Sequence, residues 1–213
     1  SVSASVTGNN ELAVSNVVGS NIFNLMVVIG VCAMIATVNV AKETIKRDIP
    51  FSLICAGLLL LLGILGFGDK SGMTLGHFDG VIFIGAFAGY ILYMIKIALK
   101  ASKEGKKVEI ECGSDEDIKL IPMPLSIVFI VGGAAAIAVG GDITVDAASR
   151  IASDLGMSQT LIGLTIVSIG TSLPELVTSI VAAKKNEVDM ALGNAIGSNV
   201  FNILMVLGIA SAI

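Results

Sequence analysis

Long apolar runs separated by short polar connections dominate the chain. Six of them, residues 16–37, 49–67, 81–99, 122–141, 161–183 and 190–213, are each long enough to cross a bilayer as a helix, since a hydrocarbon core of about 30 Å takes about 20 helical residues. Residues 1–7 read as the last turns of a further helix, so the chain is expected to be an internal segment of a longer protein. The pattern predicts an all-α, polytopic membrane protein.

Composition supports that class. Hydrophobic residues make up 54% of the chain and charged residues 14%, with a mean hydropathy of +0.92, whereas about a quarter of the residues in soluble domains are charged. The basic residues are also unevenly placed. Lys42, Lys46, Arg47, Lys96, Lys100, Lys103, Lys106, Lys107, Lys119, Lys184 and Lys185 fall on one side if the six spans alternate, and only Lys70 and Arg150 on the other. The positive-inside rule makes the first side cytoplasmic. The connection at 100–121 is then a cytoplasmic loop, and its run Gly113, Ser114, Asp115, Glu116, Asp117 reads as a solvated linker without the twelve-residue spacing of an EF-hand. Three cysteines, two of them within spans, do not suggest a disulfide framework.

Polar residues inside the spans carry the chemistry. An offset of 178 residues aligns residues 1–31 with 179–209 at 11 identities in 31 positions, concentrated in "NVVGSNIFN" at 16–24 against "NAIGSNVFN" at 194–202. Conserving asparagine and serine where composition predicts leucine and valine marks a true internal repeat. Five crossings separate the equivalent helices, so the copies run in opposite directions. Such inverted repeats place transport sites near the midplane, where discontinuous helices meet. The units expected are 1–99 as the first repeat half, the 100–121 loop, and 122–213 as the second.

Within the fifth run, "VSIGTSLPEL" at 167–176 combines a helix breaker with a carboxylate. Pro174 has no N–H, and its ring clashes with the carbonyl near Gly170, which predicts a broken helix there. Broken backbone at membrane depth needs a cavity or a protein neighbour. A carboxylate at a helix centre costs about 2.5 to 3.5 kcal/mol, so Glu175 is a functional candidate by default. Thr171 and Ser172 lie four and three residues before it, where their hydroxyls can approach its face. Ser20 and Asn24 in one repeat, and Ser198 and Asn202 in the other, are spaced four apart. All of these side chains offer oxygen, and a cage of hard oxygen donors suits Na+, Ca2+ or Mg2+ and not a soft transition metal.

Other polar residues fit structural roles. Gly193 and Gly197 suit helix packing. Asn21 and Asn199 point away from the serines and are expected to bond backbone; Phe23 and Phe201 read as packing. Asp142 and Asp146 are expected near a helix end, paired with Arg150, and His77 in a short loop. An intramembrane protease lacks support: no second membrane aspartate forms a dyad with Asp142. No enzymatic chemistry, resident cofactor or nucleic-acid partner is expected.

"GTSLPEL" followed by "GNAIGSNVFN" resembles the alpha-repeat signature of the cation/calcium exchanger superfamily, and specifically its sodium/calcium exchanger branch. The resemblance implies ten transmembrane helices in the complete protein, of which this chain would run from the end of the second through the eighth. It implies ion ligands at Thr171, Ser172, Glu175, Ser198, Asn202, Ser20 and Asn24, with the backbone carbonyl near Ser168 as a further one. The first repeat's own "GTSLPE" would fall before Ser1, and Ser15 replaces the glycine seen at Gly193. Asn202, where potassium-dependent members carry Asp, resembles the potassium-independent branch. The function implied is Na+/Ca2+ antiport by alternating access in a bilayer, with Ca2+ and Na+ as substrates, in what is expected to be a prokaryotic inner membrane. The chain by itself is expected to transport nothing. A proton-coupled calcium exchanger and a channel built from the same repeats stay open as alternatives.

Overall fold

Two helix ends are closed by residues in left-handed backbone, Gly156 and Asn186. A computed structural model describes residues 10–65, 75–103 and 122–213; residues 1–7 and the acidic run at 113–117 lie outside the described residues. Five helices are long and apolar enough to span a membrane: Glu11–Ile35, Thr44–Leu65, His77–Lys100, Met123–Asp154 and Val188–Ala212. The pair Gln159–Thr171 and Leu173–Lys184, bent by 43°, forms a sixth and broken span. In chain order these are spans one to six, the broken pair being the fifth. No strand occurs among the described residues.

The fourth span runs past the expected stop at Gly141 to Asp154. Interior glycines only lower helix propensity, whereas a stop requires a cap. The cap is at Gly156, with φ of +82°. Its N–H bonds the Ser153 carbonyl at 2.9 Å, and the Met157 N–H bonds that of Ala152 at 3.1 Å, the two bonds of a Schellman motif. Asn186, with φ of +61°, ends the fifth span the same way through Asn186–Ala183 and Glu187–Ala182 bonds. Ser158 starts that span by accepting from the Leu161 N–H at 3.2 Å, an N-cap.

The longer fourth helix corrects one expectation. Asp142 and Asp146 lie within it instead of at its end, and the one ion pair among the described residues joins Arg47 to Asp48. His77 is likewise no loop residue. It opens the third span, and its Nδ1 lies 3.1 Å from the Ala212 carbonyl at the end of the sixth. Asp79, two residues on, is fully buried and accepts from the Gly76 N–H at 2.8 Å; a carboxylate at the third helical position answering the cap N–H is half of a capping box.

Packing gathers around the sixth span. Val17, Cys55, Leu62, Phe83, Val200, Ile203, Leu204 and Leu207 form the main buried cluster. The third span crosses the end of the sixth so closely that a Cβ on Gly80 would lie 2.7 Å from the Gly208 carbonyl. Spans two, three and four turn Leu53, Leu60, Phe78, Leu92, Phe129 and Ile130 outward, as lipid-facing surfaces do. Cys32 and Cys55 are buried and free. The first span packs along Gln159–Thr171 and then, past its own middle, against Leu173–Lys184, and the sixth packs on Leu173–Lys184 as well. The break in the fifth span therefore lies where the two repeats cross.

Candidate ion site

Three wide helical turns surround that crossing. The first span shifts from α- to π-helical winding over Asn24–Val28, and the sixth over Asn202–Leu207. The two begin at equivalent positions of the repeat, 178 residues apart. The fifth winds the same way over Gly163–Val167. A π turn skips one carbonyl and bulges the chain, and such turns concentrate at functional sites.

The break itself is at Ser172, with φ of −101° and ψ of 3°, not at Gly170, which still belongs to Ser168–Thr171. Pro174 occupies the first turn of Leu173–Lys184, where its missing N–H is tolerated; the bend is taken by the residue that ends the preceding helix. Ser172 is 1% exposed, and its N–H reaches the Ser168 carbonyl at 3.1 Å.

Two clusters of oxygen flank the break. On one side the Ser20 hydroxyl lies 3.0 Å from Thr171 Oγ1 and 3.4 Å from the Ser168 carbonyl. Thr171 Oγ1 also lies 3.2 Å from Asn16 Oδ1 and 3.2 Å from the Ser168 carbonyl. The Ser168 hydroxyl donates to the Asn16 carbonyl at 3.2 Å, and also to that of Gly163. On the other side Ser198 Oγ donates to Glu175 Oε1 at 2.9 Å. Asn194 Nδ2 donates to the Glu175 carbonyl at 3.3 Å, to Thr178 Oγ1 at 3.0 Å and to Ser179 Oγ at 3.1 Å.

Between the clusters the repeats are tied by asparagines. Asn21 and Asn199 bond each other's backbone, as their position one residue beyond the serines implies, while Asn24 and Asn202 donate their amide N–H groups to the side-chain oxygens of Asn199 and Asn21. Among the described residues, two buried oxygens of this crossing have no partner, Glu175 Oε2 and Asn24 Oδ1. Buried acceptors are almost always satisfied, so two orphans in one polar crossing are a fit for a cation.

The geometry sorts the candidates. Ser20, Thr171 and the Ser168 carbonyl come together, as do Ser198 and Glu175. Among the described residues no hydrogen bond joins Thr171 or Ser172 to Glu175, because the 43° bend turns the two helix halves toward different neighbours. Asn16 and Asn194 belong to the crossing as well, related by the same 178-residue offset. In sequence they are indistinguishable from packing residues except for their place at the head of the repeated motif.

Gly193 and Gly197 do not make the close contacts expected of them. Among the described residues a Cβ on Gly193 or Gly197 meets nothing within 4 Å, whereas one on Gly19 would lie 2.5 Å from the Leu164 carbonyl and one on Gly163 would lie close against Ser15 Oγ. The close approach is thus made by the first repeat's glycine and its partner on the fifth span. No group of three or more His, Cys, Asp or Glu occurs among the described residues; the donors are hydroxyls, amides, carbonyls and one carboxylate, a set for hard cations.

A family model for the sodium/calcium exchanger protein matches residues 1–96 and 125–213. The chain belongs to that family. Its fold agrees: a solved sodium-calcium exchanger, NCX_Mj, soaked with Na+ and Sr2+, is similar with a TM-score of 0.70 at 30% identity, over 99% of this chain and 63% of that one. Among curated proteins, the inner membrane protein YrbG of Escherichia coli is 32% identical over all of this chain and 63% of its own length. The sodium/calcium exchanger MaX1 of Methanosarcina acetivorans is 27% identical over 99% of this chain and 67% of its own. This sodium/calcium exchanger family member thus spans about two thirds of the length of those relatives. It is an integral membrane protein of a family of transporters, not enzymes.

Proposed function

We propose that the protein to which this chain belongs exchanges Na+ for Ca2+ by alternating access. The observation that carries the proposal is the pair of unpartnered buried oxygens, Glu175 Oε2 and Asn24 Oδ1, in a crossing lined by the hydroxyls of Ser20, Thr171 and Ser198. These, with Ser172, Asn202 and the Ser168 carbonyl, replace hydration water around the ion. Glu175 supplies the charge and bridges subsites.

Coupling follows from competition. One set of oxygens serves either Ca2+ or Na+ but not both fully, so each ion must leave before the other is carried across. The oxygens sit between oppositely oriented halves, 1–99 and 122–213, and relative movement of those halves would open the site to one side and then the other. The exchangers named among its relatives support the choice of ions. We further assign the 100–121 connection to the cytoplasm of a prokaryotic cell, from the distribution of lysine and arginine.

The test uses the full-length protein in Na+-loaded vesicles. Radioactive Ca2+ uptake should start when external Na+ is removed and should scale with the Na+ gradient. Uptake that ignores Na+ but follows a pH gradient would instead make Glu175 a proton carrier and the protein a proton-coupled exchanger.

A further inference from the structure

Four asparagines, two from each repeat, form a reciprocal brace across the pseudo-two-fold axis. Asn21 Nδ2 donates to the Asn199 backbone carbonyl at 3.4 Å, and Asn199 Nδ2 donates to that of Asn21 at 3.3 Å. Asn24 Nδ2 donates to Asn199 Oδ1 at 3.0 Å, and Asn202 Nδ2 to Asn21 Oδ1 at 3.2 Å. Each bond maps onto another of the four by the 178-residue offset. Asn24 and Asn199 are buried, at 0% and 2% exposure.

The brace fixes which end of each amide points where. A backbone carbonyl only accepts, so the Asn21 carbonyl obliges Asn199 to face it with NH2. Asn199 then faces Asn24 with its oxygen, and Asn24 can answer only with its own NH2. The oxygen of Asn24 is left turned away, buried and unpartnered. The same chain of constraints runs from the Asn199 carbonyl through Asn21 to Asn202.

Resting on the cation-exchange reading above, we propose that Asn21 and Asn199 are positioning residues of the ion site. They aim the amide oxygens of Asn24 and Asn202 at the ion.

The experiment is a double-mutant cycle in the full-length protein, reading the Ca2+ half-saturation concentration and the maximal rate of Na+-driven uptake separately. Asn199→Leu and Asn24→Ala should each raise half-saturation about tenfold, the value of one oriented charge-assisted contact. The double variant should be no worse than Asn24→Ala alone, because Asn199 acts through Asn24. A residue that only fills space would lower the maximal rate through the amount of folded protein and leave half-saturation alone. Effects that multiply in the double variant, or an unchanged half-saturation in Asn199→Leu, overturn the proposal. The mirror cycle on Asn21 and Asn202 gives the same decision should Asn199→Leu not fold. Glu175→Gln run beside them keeps the two readings apart: uptake surviving that substitution overturns the site itself, whereas uptake lost there with Asn199→Leu unaffected overturns only the brace.

Discussion

Gly19→Ala should separate the two repeats at the ion site. A Cβ at this position would lie 2.1 Å from Ser168 Oγ, 2.5 Å from the Leu164 carbonyl and 2.9 Å from Leu164 Cα. The hydroxyl could rotate, at the loss of its bond to the Asn16 carbonyl, but the Leu164 backbone cannot. Carbon–oxygen contacts in proteins lie at about 3.3 to 3.6 Å, so the first span must move off the fifth by roughly 1 Å. That displacement carries Ser20 and Asn16 with it. The Ser20–Thr171 contact of 3.0 Å and the Thr171–Asn16 contact of 3.2 Å would then stretch past hydrogen-bonding range. Overpacking of this kind costs about 1 to 3 kcal/mol, and a 1 Å misplacement of positioned groups costs up to about 10²-fold in rate. In the full-length protein, Na+-driven Ca2+ uptake should fall by one to two orders of magnitude on that scale, with a lower melting temperature in detergent. Gly85→Ala is the control, since among the described residues its Cβ meets nothing within 4 Å and alanine gains about 0.5 to 1 kcal/mol of helix stability. Wild-type uptake and melting in Gly19→Ala would refute the reasoning.

Three further substitutions test other parts of the account. Pro174→Ala restores an N–H able to reach the Gly170 carbonyl and should reduce the 43° bend. It should stabilise the fold by less than an interior proline's roughly 3 kcal/mol, raising the melting temperature, while slowing uptake; unchanged uptake would show the bend to be dispensable. Leu204→Ala removes a fully buried side chain of the main cluster and should cost about 2 to 5 kcal/mol of stability without moving Ca2+ half-saturation, because Leu204 offers no oxygen. Asn16→Ala deprives Ser20 and Thr171 of an acceptor and should raise half-saturation roughly fivefold, the worth of about 1 kcal/mol of hydrogen bonding; equal affinity in this variant would confine Asn16 to packing.

How far the sequence speaks depends on the kind of physics involved. Spans follow from hydrophobic length, and the inverted repeat follows from asparagines and serines kept where apolar residues would otherwise stand, so both are legible. Glu175 stands out for the same reason, its cost in a membrane. Helix ends are less legible, because the stop is not the glycine pair at Gly140 and Gly141 but the left-handed residue at Gly156, and both read alike as letters. Glycine contacts depend on which neighbour lies opposite: Gly19 and Gly197 occupy equivalent repeat positions, yet among the described residues only Gly19 meets a close partner. The π turns at Asn24 and Asn202 leave no pattern of their own. Nor does the direction of an amide, which is decided by a backbone carbonyl 178 residues away.

The central claim is that Ca2+ and Na+ compete for the oxygens around Glu175. Equilibrium Ca2+ titration of the purified full-length protein, repeated at rising Na+ concentration and with Glu175→Gln, tests it most directly. The account predicts an apparent Ca2+ dissociation constant that climbs with Na+ and a loss of high-affinity binding in the variant. Ca2+ binding indifferent to Na+, or preserved in Glu175→Gln, would contradict it.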